Sequence, residues 1–108
     1  SGSPVESPVS TKIADGMACS VPEESALELI WEGVERIVQV SDTEIAESMR
    51  MMYECTHNVC EGAGAAAIAA ALQDSAKNIG RKVAVIASGG NVDRDVFAKI
   101  LNGENYAD

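Results

Sequence analysis

Positive charge is scarce in this sequence: 8 lysines and arginines stand against 17 aspartates and glutamates, a formal net charge of −9 over 108 residues. A chain of that balance has no general attraction for a phosphate backbone, which excludes nucleic acid as an expected partner. Long apolar runs are lacking too. The most apolar stretch, Ala63 to Leu72, is built from alanine with glycine at its front and is far shorter than the roughly 20 residues of a bilayer span. No membrane helix is therefore expected. Ser1 to Ser10 has neither the basic start nor the apolar centre of a secretory leader. Cysteine is sparse and odd in number, with Cys19, Cys55 and Cys60 widely spaced. Reduced thiols in a cytoplasmic protein are the expectation, and not a disulfide framework. A metal site at Cys55-x-His57-x-x-Cys60 fails on geometry. On a helix, about 100° per residue puts Cys55 and His57 roughly 200° apart and Cys55 and Cys60 roughly 140° apart, so the three do not converge.

What is present is a globular composition, 46% hydrophobic with a mean hydropathy near zero, and a length that fits one domain or part of one. Its most informative stretch is Lys82-Val83-Ala84-Val85-Ile86-Ala87-Ser88-Gly89-Gly90-Asn91. A short apolar segment rich in β-branched residues reads as a buried strand, and it empties into a serine and two glycines. Open parallel sheets bind ligands beyond the carboxyl ends of their strands, where glycine lets backbone come close to a bound group. Two glycines after a strand also occur in ordinary βα turns, so the rest of the chain decides.

Ser1 to Ser10, with prolines at 4 and 8, reads as an extended lead-in, and Asp15-Gly16 as a turn. Pro22 with Glu23 and Glu24 suits a helix start; Leu27, Ile30, Trp31 and Val34 recur at helical spacing, predicting a helix from about Pro22 to Gly33. Ile37 to Val40 reads as a short strand. Ser41-Asp42-Thr43-Glu44 is a capping box opening a long helix, whose apolar face is expected to hold Ile45, Met49, Met52, Tyr53, Thr56 and Cys60. Its methionines read as core filler. Glu61-Gly62-Ala63-Gly64 then leads into an alanine-rich helix, in which each glycine costs about 1 kcal/mol relative to alanine, so something must compensate. Tight packing and a ligand at the helix N-terminus both fit. A last helix is expected after Asn91 or Asp93, with Val96, Phe97, Ile100 and Leu101 apolar, ending near Asn102-Gly103. Helix, strand, helix, helix, strand, helix defines an α/β class. Two parallel strands do not sustain a sheet alone, so the residues suggest a piece of a larger α/β domain.

Three motifs occur in order: Lys12-Ile13-Ala14-Asp15-Gly16-Met17-Ala18, Thr56-His57-Asn58-Val59-Cys60-Glu61-Gly62-Ala63-Gly64-Ala65-Ala66 and Ser88-Gly89-Gly90-Asn91-Val92-Asp93. Together they resemble the C-terminal part of the catalytic domain of the serine/threonine dehydratases, the threonine ammonia-lyase family of fold type II pyridoxal-phosphate enzymes, over nearly the whole chain. The resemblance implies that residues 1–108 are one segment of a fold type II large domain with parallel strands and flanking helices. It implies pyridoxal 5'-phosphate as cofactor, with Ser88 meeting the pyridine nitrogen. Gly89, Gly90 and Asn91 would shape that turn, and Glu61, Gly62, Ala63 and Gly64 would pack beside the ring. The implied reaction is β-elimination of water from L-threonine or L-serine, giving a 2-oxo acid and ammonia, in a cytoplasmic homo-oligomer such as serves isoleucine biosynthesis. A serine racemase-like activity shares this portion of the family chain.

The family's Schiff-base lysine lies in a Ser-Phe-Lys-x-Arg-Gly type motif that this sequence does not contain. Lys12, Lys77, Lys82 and Lys99 stand in other contexts, so no catalytic residue is assigned and the 108 residues alone are expected to be inactive. A non-catalytic segment that oligomerises or binds a partner is the alternative of a different class. A small phosphate-binding module at Ser88 to Asn91 is a weaker third, because that loop has no basic residue.

Overall fold

The computed structural model describes residues 1–104 and 106. Four α-helices form along the chain, α1 (Glu24–Gly33), α2 (Asp42–Thr56), α3 (Gly62–Gln73) and α4 (Arg94–Leu101), with 3-10 turns at Asp15–Met17 and Ser75–Asn78. All four expected helices are present, with ends within two residues of the expected ones except at the end of α2, which stops at Thr56, four residues short of Cys60. α2 begins where the capping box requires. The Glu44 amide donates to Ser41 Oγ at 3.2 Å and the Ser41 amide donates to Glu44 Oε2 at 2.7 Å, satisfying two otherwise unpaired donors. The helix ends at His57, whose φ of 57° is left-handed and whose amide donates to the Tyr53 carbonyl at 2.8 Å.

α2 and α3 form an antiparallel hairpin that carries the core. Ile45, Ala46 and Met49 of α2 are buried with Ala65, Ala66 and Ala69 of α3, and alanine lets the two axes approach closely. Ser48 is buried among them with its hydroxyl donating back to the Glu44 carbonyl at 2.9 Å, so its burial leaves no unpaired group. The far end of the hairpin is tied by Gln73, whose Nε2 donates to Glu44 Oε1 and to the Gln39 carbonyl, each at 3.0 Å. Arg36 pairs with Asp74 beside it. α4 closes the other flank: Ile100 is fully buried, and Arg50 Nη1 donates to the Ile100 carbonyl at 2.9 Å, occupying one of the acceptors at that helix's C-terminus.

The expected apolar faces need correction at their ends. On α2 the buried side is Ile45, Ala46, Ser48 and Met49, with Met52 half-buried; Tyr53 and Thr56 are exposed because the hairpin partner covers the first half of the helix more fully than the second. Tyr53 instead meets Phe97 edge to face, ring centroids 5.9 Å apart. Cys60 is buried, but from the connection after α2, since His57 ends the helix three residues earlier. Leu101, expected on the apolar side of α4, is exposed.

No strand is present among the described residues. The two segments expected as strands, 37–40 and 83–87, carry no ladder, and Ile37, Val83, Val85 and Ile86 expose 76%, 52%, 42% and 79% of their surface. A strand is completed by the backbone of its neighbours, and the helices here offer none. α1 likewise packs on no other helix, leaving Leu29 and Trp31 exposed.

Ionisation reinforces the α2 start. The Ser41 amide, then the Gln73 side chain, stabilise the Glu44 carboxylate and hold it below the ordinary carboxylate range. A carboxylate whose folded value is depressed contributes stability that is full above its unfolded value of about 4.3 and is lost as pH falls through the folded value. The urea midpoint of the chain is therefore expected to fall on acidification below about pH 4.3, and the fall to be smaller in Glu44→Gln. Ser41→Ala should cost about 1 kcal/mol at neutral pH in the same titration.

Candidate functional site

Two segments read from the sequence as one site, Glu61 to Gly64 and Ser88 to Asn91, do meet in the fold. The Glu61 amide donates to the Gly89 carbonyl at 2.9 Å, which brings the start of α3 against the 88–91 turn. The approach is too close for side chains. A Cβ on Gly64 would lie 2.6 Å from the Gly89 carbonyl oxygen and 3.0 Å from its nitrogen, and one on Gly90 would lie 2.7 Å from the Val59 carbonyl oxygen. A Cβ on Gly89 would overlap the carboxylate of Glu61. At Gly64 and Gly90 backbone packs on backbone, and that packing offsets the cost of glycine in or beside a helix.

A third segment joins them, and sequence reasoning did not assign it to the site. Ile13 and Ala14 are buried, and a Cβ on Gly62 would overlap the Ile13 carbonyl oxygen. Gly16 faces Ala63 in the same way, its absent Cβ 3.0 Å from the alanine methyl carbon. The lead-in is pinned there by Asp42 at the first position of α2, which accepts from the Thr11 hydroxyl at 2.5 Å and the Lys12 amide at 2.6 Å. Thr11 Oγ1 in turn accepts from the Ala14 amide at 3.0 Å. The signal that could have found this wall is the presence of small residues in both motifs, Gly16 in one and Gly62 and Ala63 in the other, though their pairing emerges only on folding.

Where the three segments meet there is a cavity of about 200 Å³, with Lys12, Asp15, Glu61, Asn91 and Asp93 on its walls. Asn91, Glu61 and Gly62 thus line one cavity. Ser88 stands at the edge of the turn, exposed and making no hydrogen bond among the described residues. Cys60 lies beneath Gly64, its Sγ 3.1 Å from the missing Cβ. Burial, with the Glu61 charge adding to it, pushes its thiol upward, so it is a packed, unreactive cysteine. Cys19 and Cys55 are free and exposed.

The geometry therefore defines a glycine-lined turn held against the N-terminus of α3. The chain belongs to the pyridoxal-phosphate dependent enzyme family, whose model matches residues 1–89. It is 38% identical over 90 residues to an L-threonine ammonia-lyase of Thermotoga maritima, covering 83% of this chain and 22% of that protein. An L-threonine ammonia-lyase of Geobacter sulfurreducens is 35% identical over 100 residues, 93% of this chain and 25% of the relative. An L-threo-3-hydroxyaspartate ammonia-lyase of Saccharomyces cerevisiae is 35% identical over 104 residues, 96% of this chain and 32% of the relative. The chain thus spans between about a fifth and a third of the length of these relatives. Among the described residues no helix is long and apolar enough to cross a membrane, and no group of three metal-binding side chains lies together.

Two substitutions separate tight glycines from free ones. At Gly62 the new methyl meets the peptide of Ile13, which cannot rotate away, so Gly62→Ala should cost about 1–3 kcal/mol despite the better helix propensity of alanine. At Gly33, the last residue of α1, nothing lies within 4 Å, and Gly33→Ala should be neutral or stabilising by up to about 1 kcal/mol. Paired urea titrations measure both.

Proposed function

We propose that this chain is the C-terminal segment of a pyridoxal-phosphate dependent dehydratase that removes water from a β-hydroxy amino acid, L-threonine or L-serine, to give a 2-oxo acid and ammonia. The observation that carries the reading is the meeting of the Glu61–Gly64 and Ser88–Asn91 segments, three of whose glycines leave no room for a side chain beside a free serine hydroxyl. The names of the relatives support the chemistry: threonine and 3-hydroxyaspartate ammonia-lyases both act on amino acids with a β-hydroxyl.

The residues fit the cofactor. Ser88 projects from a turn whose backbone is exposed at Gly90 and whose flank is the uncapped start of α3, so a planar heterocycle could lie against glycine backbone with the hydroxyl at its nitrogen. Pyridoxal phosphate, when bound, supplies the electron sink that acidifies the amino acid's α-carbon. The part of this chain is to orient it. A neutral hydroxyl at the pyridine nitrogen, in place of a carboxylate, does not hold that nitrogen protonated, which suits elimination at the β-carbon. Gly89, Gly90 and Asn91 shape the turn; Glu61, Gly62, Ala63 and Gly64 form the wall beside it.

In this reading the unpaired segments 37–40 and 83–87 are parallel strands of an α/β large domain, completed by backbone from elsewhere in a longer protein. That accounts for apolar residues such as Val85 and Ile86 lying exposed. The working enzyme is a cytoplasmic homo-oligomer.

In the enzyme containing this segment, Ser88→Ala should weaken cofactor retention by about 1–3 kcal/mol and slow elimination, because a buried nitrogen loses its partner. Ser75→Ala, outside any motif, is the control and should do neither. Equilibrium dialysis of the cofactor and ammonia release measure the two effects; wild-type values for Ser88→Ala would remove its assigned role. The 108-residue chain alone, treated with pyridoxal phosphate and borohydride, should yield no stoichiometric pyridoxyl-lysine at a unique position. Trapping at one lysine would show that the nucleophile had been misplaced.

A further inference from the structure

We propose that the first turn of α3 sets where Ser88 stands, and that Gly64 is a positioning residue acting on Ser88 through the backbone of Gly89. The proposal rests on the reading of Ser88 given above. Ser88 makes no hydrogen bond of its own among the described residues, so its place follows from the turn that carries it. Among the described residues that turn has one hydrogen bond to the rest of the fold, from the Glu61 amide to the Gly89 carbonyl; the other bond at the turn, from the Val92 amide to the Gly90 carbonyl at 3.0 Å, is internal to it. Sterics fix the remainder. Gly64 lies against the Gly89 peptide and the Val59 carbonyl lies against Gly90, so the segment 59–64 holds the turn at two successive residues.

The grip cannot recoil, because α3 is anchored just beyond it by Ala65, Ala66 and Ala69, all buried against α2. A shift of the turn would carry the Ser88 hydroxyl with it, and catalytic geometry tolerates about 0.5 Å of such error. The contacts also differ in hardness. Gly64 and Gly90 face peptide groups, whereas Gly89 faces only the end of the Glu61 side chain, which can rotate aside. A methyl at Gly89 is thus forgiven when Glu61 is shortened, and a methyl at Gly64 is not. A role confined to general stability would not produce that pattern.

The test uses backbone amide resonances and hydrogen exchange in the 108-residue chain. Gly64→Ala should move the resonances of Ser88 to Asn91 and speed exchange at the Glu61 amide by about tenfold or more, with no recovery on adding Glu61→Ala. Gly89→Ala should displace the same resonances less, and Gly89→Ala with Glu61→Ala should bring them back toward the positions seen in Glu61→Ala alone. Unmoved resonances in Gly64→Ala, or their recovery on shortening Glu61, would overturn the proposal. If Gly64→Ala does not fold, the Gly89 pair decides: no displacement, or no recovery, overturns it. In the longer enzyme, the visible absorption of bound pyridoxal phosphate should shift in Gly64→Ala in the direction seen for Ser88→Ala, with the double variant no worse than Ser88→Ala. An unchanged spectrum in Ser88→Ala would sink the reading of Ser88 while leaving the grip itself to stand on the resonances.

Discussion

Backbone packed on backbone without intervening side chains is the constraint on which the rest of this structure depends. At Gly62, Gly64 and Gly90 a single methyl would strike a peptide group of another segment. Each of these positions gives up helix propensity or chain stiffness, about 1 kcal/mol apiece where the residue is helical, for a separation that no other amino acid allows. Three stretches distant in sequence, around Ile13, Val59 to Gly64 and Gly89 to Gly90, converge as a result. At the front of α3 the clash that a methyl would make outweighs the better helix propensity of alanine, which is used freely farther along that helix.

Such an approach holds only if the pieces are fixed from behind. The α2–α3 hairpin does this with an alanine-rich interface, a capping box at one end of α2 and Gln73 bridging that end to α3. Asp42 extends the same anchor to the lead-in by accepting from Thr11 and Lys12. One short stretch, Ser41 to Glu44, therefore caps a helix, ties the hairpin and pins a wall of the cavity. α4 contributes Ile100 to the core and receives the Arg50 guanidinium at its end. α1 and the segments 37–40 and 83–87 take little part in this anchoring, and Leu29, Trp31, Ile37, Val83 and Ile86 are more than half exposed there.

The helices were legible in the sequence because their determinants are local: Ser41 with Glu44 for the α2 start, and 3.6-residue periodicity for α1, α2 and α4. The resemblance to family motifs assigned Glu61–Gly64 and Ser88–Asn91 to one cofactor site without stating that the two segments pack on each other, and the glycines themselves signalled close approach without saying to what. The wall formed by Ile13 and Ala14 was not anticipated, since nothing local distinguishes a buried Ile-Ala pair beside a turn from any other. The burial pattern of α2 differs toward its end, at Tyr53 and Thr56, because periodicity gives a face but not how far along the helix the partner reaches. Val83 to Ala87 has the composition of a buried strand, yet composition supplies no neighbour, and a ladder depends on one.

The convergence of the three segments is most directly tested by proton–proton nuclear Overhauser measurements on the 108-residue chain with selectively labelled glycine. Backbone packing of this kind places the Gly64 α-protons beside Gly89 and those of Gly62 beside Ile13, and strong cross peaks are predicted for both pairs. Their absence, with the α2–α3 contacts between Met49 and Ala65 or Ala69 still observed, would contradict the account, because the hairpin would then be folded while the site it is said to assemble was not.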